Sequence, residues 1–165
     1  MLPVTPDPVR PGQESVWDYP RPPRIEPSTE EIEIRLGGQV IASARSSYRV
    51  LETSLPPSYY LPRAAFIDGV LRPVDGTTFC EWKGHASYVD LVAGGRAAPR
   101  AGWTYPTPSR GFEVLVDHVA VMPASVDACL VDGERVVAQP GGFYGGWITS
   151  RVAGPFKGGP GSWGW

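Results

Sequence analysis

The sequence predicts an all-β protein: a compact single domain, a small barrel or sandwich of eight to ten short strands. Three observations carry this. Apolar and polar residues alternate with period two in short runs, the pattern of a half-buried strand. Glycine and proline, 20 and 19 residues of 165, punctuate those runs at close intervals. A helical period is almost absent; its best candidates are one turn near Pro62–Phe66 and a short stretch near Pro108–Leu115.

The elements follow in order. Residues 1–27 hold eight of the 19 prolines. Proline fixes φ and removes a backbone donor, so this segment is expected to run as an extended polyproline-like arm, neither helix nor central strand. Its WDYPRPP stretch, Trp17 to Pro23, carries two large rings on a stiff chain, which suits docking onto the domain body or a neighbouring subunit. The domain proper is expected over residues 28–165. EIEIRL from Glu31, the Gly37-Gly38 turn and QVIASARS read as a β-hairpin, followed by YRVLETS as a third strand. PPSYYLP comes next, and FIDGVLRPV reads as a second hairpin. TTFCEW and HASYVDLVAGG form a further pair, and GWTYP a short strand. HVAVMP and DACLVDGERVVAQP close the series, with Asp132-Gly133 at the last hairpin turn. The final 25 residues carry nine glycines and three of the six tryptophans. Glycine at that density beside large rings implies a tightly turning backbone that lets aromatics cover something.

Composition excludes several roles. A net charge of −2, from 15 basic and 17 acidic residues, supplies no basic stripe for nucleic acid. No apolar run approaches the ~20 residues that span a bilayer, and MLPVTPDPVRPGQ lacks the apolar core of a signal peptide. A cytoplasmic protein is expected. Two cysteines and two histidines, all in separate segments, match no metal-binding spacing, so neither metal nor cofactor is expected.

The candidate chemistry centres on FCEWKGHASY, Phe79 to Tyr88. In an extended strand Cys80 would face away from both Lys83 and His85. Only a turn at Glu81–Gly84 brings the ammonium back toward the sulfur, and Gly84 permits one. A nearby cation favours the reactive thiolate, whereas most free cysteines are small buried hydrophobes; Cys129, in DACLV, alternates as a core residue. Lys83 on a glycine turn can present its charge to a carboxylate or phosphate. Aromatic residues in glycine- and proline-flanked segments, namely Tyr59, Tyr60, Tyr88, Trp103, Tyr105, Tyr144 and Trp147, are candidates for cavity walls. His118 reads as a strand-edge residue. There is no phosphate-cradling glycine loop and no serine-hydrolase signature.

WDYPRPP, PPSYYLP, FCEWKGHASY, GWTYPTP and the glycine-tryptophan tail together resemble the domain-of-unknown-function family DUF427, also labelled nucleotidyltransferase-like, over nearly the whole chain from Glu14. The resemblance implies a β-tent-like domain, similar in outline to methionine sulfoxide reductase B and to the ligand-binding domain of cereblon. Those relatives often hold zinc through two cysteine pairs that this chain lacks. The family's C-P-x-K-G pattern reads Cys80-Glu81-Trp82-Lys83-Gly84 here, so Cys80, Lys83, Gly84 and Tyr88 match while the proline does not.

Three functions are weighed. One is a binding module whose pocket is formed by Tyr60, Trp82, Tyr88, Trp103, Tyr105 and Tyr144, with Lys83 orienting an anionic or carbonyl-bearing small molecule. Another is an enzyme with Cys80 as nucleophile or redox centre, tuned by Lys83 or His85. The third is an interaction protein, a homodimer joined through the N-terminal arm.

Overall fold

The computed structural model describes residues 3–165; of the N-terminal arm, Met1 and Leu2 lie outside the described residues. The chain folds as an all-β single domain in which short strands alternate with glycine turns. The chain opens with β1 (Glu14–Ser15), a single 3₁₀ turn at Val16–Asp18, and β2 (Arg24–Ser28). The expected first hairpin is β3 (Ile32–Leu36) and β4 (Gln39–Ala44), paired antiparallel across Gly37-Gly38, both glycines at positive φ. β5 (Ser47–Leu51) and β6 (Ser58–Pro62) follow. The long hairpin β7 (Leu71–Cys80) and β8 (Gly84–Ala93) turns at residues 81–83, and β9 (Arg96–Thr104) runs back along β8. Next come β10 (His118–Val121), β11 (Ala128–Val131) and β12 (Glu134–Arg135), the last two joined by Asp132-Gly133. Three short strands close the chain: β13 (Val137–Ala138), β14 (Trp147–Ile148) and β15 (Val152–Ala153). The two weak helical signals become single 3₁₀ turns at Arg63–Ala65 and Glu113–Leu115.

Two local expectations differ. FIDGVLRPV makes no hairpin: Phe66 forms one bridge to Ala42, and Asp68-Gly69 is a turn leading into β7. GWTYP is only the end of a nine-residue strand. Pro99 interrupts the alternation there and sits in a bulge, the place in a sheet that tolerates it.

The strands form a seven-stranded antiparallel sheet in the order β2-β5-β6-β10-β9-β8-β7, a four-stranded sheet in the order β12-β11-β3-β4, and two small pairs, parallel β1–β15 and antiparallel β13–β14. None closes into a barrel. The sheet begins earlier than the alternation suggested, because β2 carries Pro27 on an edge strand, where a missing donor breaks no ladder.

Period-two alternation gives the large sheet two occupied faces. Tyr59, Leu61, Val89, Leu91, Val119 and Val121 face the four-stranded sheet and make the main core with Ile32, Ile34, Leu36 and Ile41. Their neighbours Tyr60, Ala86 and Ala120 build a second cluster with Val50, Tyr105, Phe112 and Leu115. A third cluster ties the ends together: Val16 and Tyr19 pack with Leu51 and Val152. The Trp17 indole N–H donates to the Pro155 carbonyl at 2.8 Å, and its ring meets Trp165 edge-on at 5.5 Å. The arm's rings are thus engaged by the chain's own C-terminal segment.

Candidate functional site

The second face of the large sheet carries a row of side chains in register. Tyr60 on β6 lies opposite Ala120 on β10, which lies opposite Trp103 on β9, which lies opposite Tyr88 on β8. The small Ala120 leaves a gap that the flanking rings lean across: the Trp103 indole N–H donates to the Tyr60 hydroxyl at 3.1 Å, with the rings perpendicular. Tyr88 and Thr78 of β7 share a hydroxyl–hydroxyl bond of 2.6 Å. A cavity of about 480 Å³ opens over this row.

Its second wall is the turn between β7 and β8. Gly84 takes φ +102°, and an added Cβ would meet Ser109 Oγ at 3.1 Å and the Thr107 carbonyl at 3.3 Å. Both facts require glycine here. The Ser109 amide bonds the Lys83 carbonyl at 2.9 Å, fixing the turn. Lys83 then extends along the cavity, its Nζ 5.7 Å from the centre of the Tyr105 ring. Burial alone would lower its pKa, but the Tyr60 phenol, the Cys80 thiol and the Glu52 carboxylate outweigh it and hold the ammonium above the ordinary lysine value. Lys83 is therefore a fixed cation at neutral pH and no general base. Burial raises the Tyr60 phenol against the opposing pull of Lys83, so Tyr60 stays neutral.

A bulge aims the third wall. Between the pairs Val89↔Gly102 and Leu91↔Ala98, β9 carries extra residues, and Arg100 sits there at φ +50°. The Asp90 carboxylate accepts its amide at 2.7 Å, while its guanidinium donates to the Asp75 carbonyl and lies 4.3 Å from the Tyr88 ring centre. Positive φ at a non-glycine residue is strained and persists where surroundings enforce it.

The C-terminal segment forms the roof. Gly145 lies so close to Trp103 that any Cβ would overlap the indole, with Met122 Sδ at 2.9 Å. Gln139 clamps the segment, accepting from the Gly146 amide at 3.0 Å and donating to the Lys157 carbonyl at 2.7 Å. Lys157 Nζ stands 5.5 Å from the Tyr144 ring centre.

Of the residues expected from sequence, Tyr60, Lys83, Tyr88, Trp103, Tyr105 and Tyr144 line this cavity together with Cys80. Trp82 does not: beside Lys83 at the turn, its side chain diverges and packs partly buried against the second cluster. Tyr59 and Trp147 belong to the main core, stacked at 4.9 Å, because each alternates to the opposite face. His85 is paired with Phe79, against which it stacks outside the cavity. The four potential zinc ligands do not fit a zinc site, since Cys80 and buried Cys129 lie in different clusters, and His118 stacks on Tyr48. Sequence reasoning missed Glu52, Arg100, Gln139 and Lys157. One signal was available: the chain holds only two lysines against thirteen arginines, and both lysines line the cavity.

The family profile described as "Domain of unknown function (DUF427)" matches residues 24–132, about two thirds of the chain. The chain belongs to this family. The match in this DUF427 chain runs from β2 to the β11–β12 turn, so it takes in the sheet row, the Cys80–Gly84 turn and Arg100. The roof residues, Gln139 to Lys157, lie beyond it. No curated protein matches the chain. Among the described residues no helix is long and apolar enough to cross a membrane.

Proposed function

We propose that the chain is a binding module for a small anionic molecule, held in the cavity above the large sheet. One observation supports this most: the cavity is bordered by three cations, Lys83, Arg100 and Lys157, and none has a carboxylate partner among the described residues. The one acid on its wall, Glu52, is already paired with Arg21 at 3.1 Å. Each cation rests over a different aromatic ring, a geometry that supports the charge without neutralising it. A carboxylate, phosphate or polarised carbonyl oxygen is the complementary group. Titration calorimetry against a panel of small anions tests the reading. Lys83→Met should weaken the best of them by about ten- to a hundredfold, the worth of one charge-assisted hydrogen bond. Unchanged affinity in that variant rules out the site.

A second reading rests on Cys80, whose half-exposed thiol lines the same cavity as Lys83. As a nucleophile its sulfur would attack the carbonyl carbon of a bound ester or thioester, forming an S-acyl bond as the bond to the leaving alcohol or thiol breaks. That leaving group departs with the proton the sulfur gave up, and the ammonium stabilises the oxyanion formed in between. Incubation with candidate esters and thioesters, followed by intact mass, detects the adduct; Cys80→Ala must abolish it.

A further inference from the structure

We propose that the anion is amphiphilic: an acid whose charged head lies among the lysines and whose chain or ring leaves the cavity between Phe79 and Phe143. This rests on the anion-binding reading and narrows it to a ligand class. Among the described residues three aromatic side chains are largely in water, Phe79 at 70%, Phe143 at 73% and Trp163 at 78% exposure. Two of the three border the same cavity. They come from unrelated elements, the end of β7 and the roof segment, so no local sequence habit places them together. An exposed ring gives up apolar hydration when covered, and among the described residues nothing covers these two. Phe143 meets Tyr144 edge-on at 4.8 Å, and Phe79 lies 5.2 Å from the His85 ring, so each has one aromatic neighbour. The cavity walls also include the apolar Val50, Leu55, Pro56 and Met122. A small hydrophilic anion would satisfy the charges and leave this apolar path wet. A fatty or aryl acid occupies both parts.

The test is calorimetry with acetate, inorganic phosphate, octanoate, phenylacetate and octanol on the intact chain. Octanoate or phenylacetate should bind at least about tenfold more tightly than acetate, and octanol, which lacks the charge, should bind far more weakly. The double variant Phe79→Ser/Phe143→Ser alters exposed rings and should leave the fold intact by circular dichroism. It should lose most of the octanoate gain while acetate affinity stays the same. Acetate or phosphate binding as tightly as the apolar acids, or a double variant that holds octanoate unchanged, overturns the proposal and leaves the anion site standing. Absence of binding by every anion overturns both. Capture of the protein by anionic phospholipid vesicles without competition from octanoate would assign the two rings to a membrane surface and equally overturn it.

Discussion

The two thiols are in opposite situations, and their reactivity should differ accordingly. Cys129 is buried in the main core, and burial pushes its pKa up to about 12, so the reactive thiolate is scarce at neutral pH. Cys80 is half-exposed on the cavity wall. Iodoacetamide at pH 7.5 should add one equivalent to the native chain, at Cys80, and two after denaturation; peptide mapping by mass spectrometry reads this. Lys83 makes a second prediction. Its pKa is raised, so its positive charge is complete below the ordinary value of 10.5 and is lost only at still higher pH. Affinity for a fully ionised acid should therefore stay level between pH 6 and 9, whereas a lysine lowered by burial would lose binding over that range.

At the scale of the element, the roof depends on glycines that admit neighbouring groups. Gly145→Ala would force its methyl into Trp103, so the roof must lift from the sheet; we expect a fall of about 1–3 kcal/mol in stability and a loss of ligand affinity, read by urea unfolding and calorimetry. Trp147 on β14 pins the same segment to the core, with its indole N–H donating to the Val121 carbonyl at 3.1 Å and only 1% of its surface exposed. Trp147→Ala should cost about 3–5 kcal/mol, lowering the melting temperature by roughly 10 °C. Strands whose alternation is unbroken were legible in the sequence: Glu31–Leu36, Tyr48–Leu51 and His118–Val121 all lie in or beside the expected strands. Where Pro27, Pro73 and Pro99 occur, the pattern misled, because an edge or a bulge accommodates a proline that a paired central position does not. The cavity was half legible. Aromatic residues near glycine could be named, but which face each ring occupies depends on strand register, and that separated Tyr60 from Tyr59. Arg100 reaches the cavity only through a bulge that no spacing announces.

For the molecule as a whole, a polar network beside the edge strands sets the response to acid. Arg49 binds Glu14 at 2.6 Å and Glu26 at 2.7 Å, and the Tyr19 hydroxyl donates to Glu14 at 2.7 Å. Burial tends to raise the Glu14 pKa, but the bonds from Arg49 and Tyr19 prevail and hold it below the ordinary 4.5. A depressed carboxylate adds stability that is complete above its unfolded value and is lost as pH falls through its folded one. Stability from urea unfolding should therefore be level from pH 7 to about 5 and decline below about 4.5, and Glu14→Gln should flatten that decline.

The family's matched span stops before the segment that closes the cavity. The seven-stranded sheet, the cysteine turn and Arg100 all fall within that span, while Gln139, Phe143, Tyr144 and Lys157 lie beyond it. The same stretch also sends Trp147 into the main core and Val152 into the third cluster, so cavity roof and core share one length of chain. A tail grafted after residue 138 would therefore have to supply a buried ring in place of Trp147 before it could reshape the cavity.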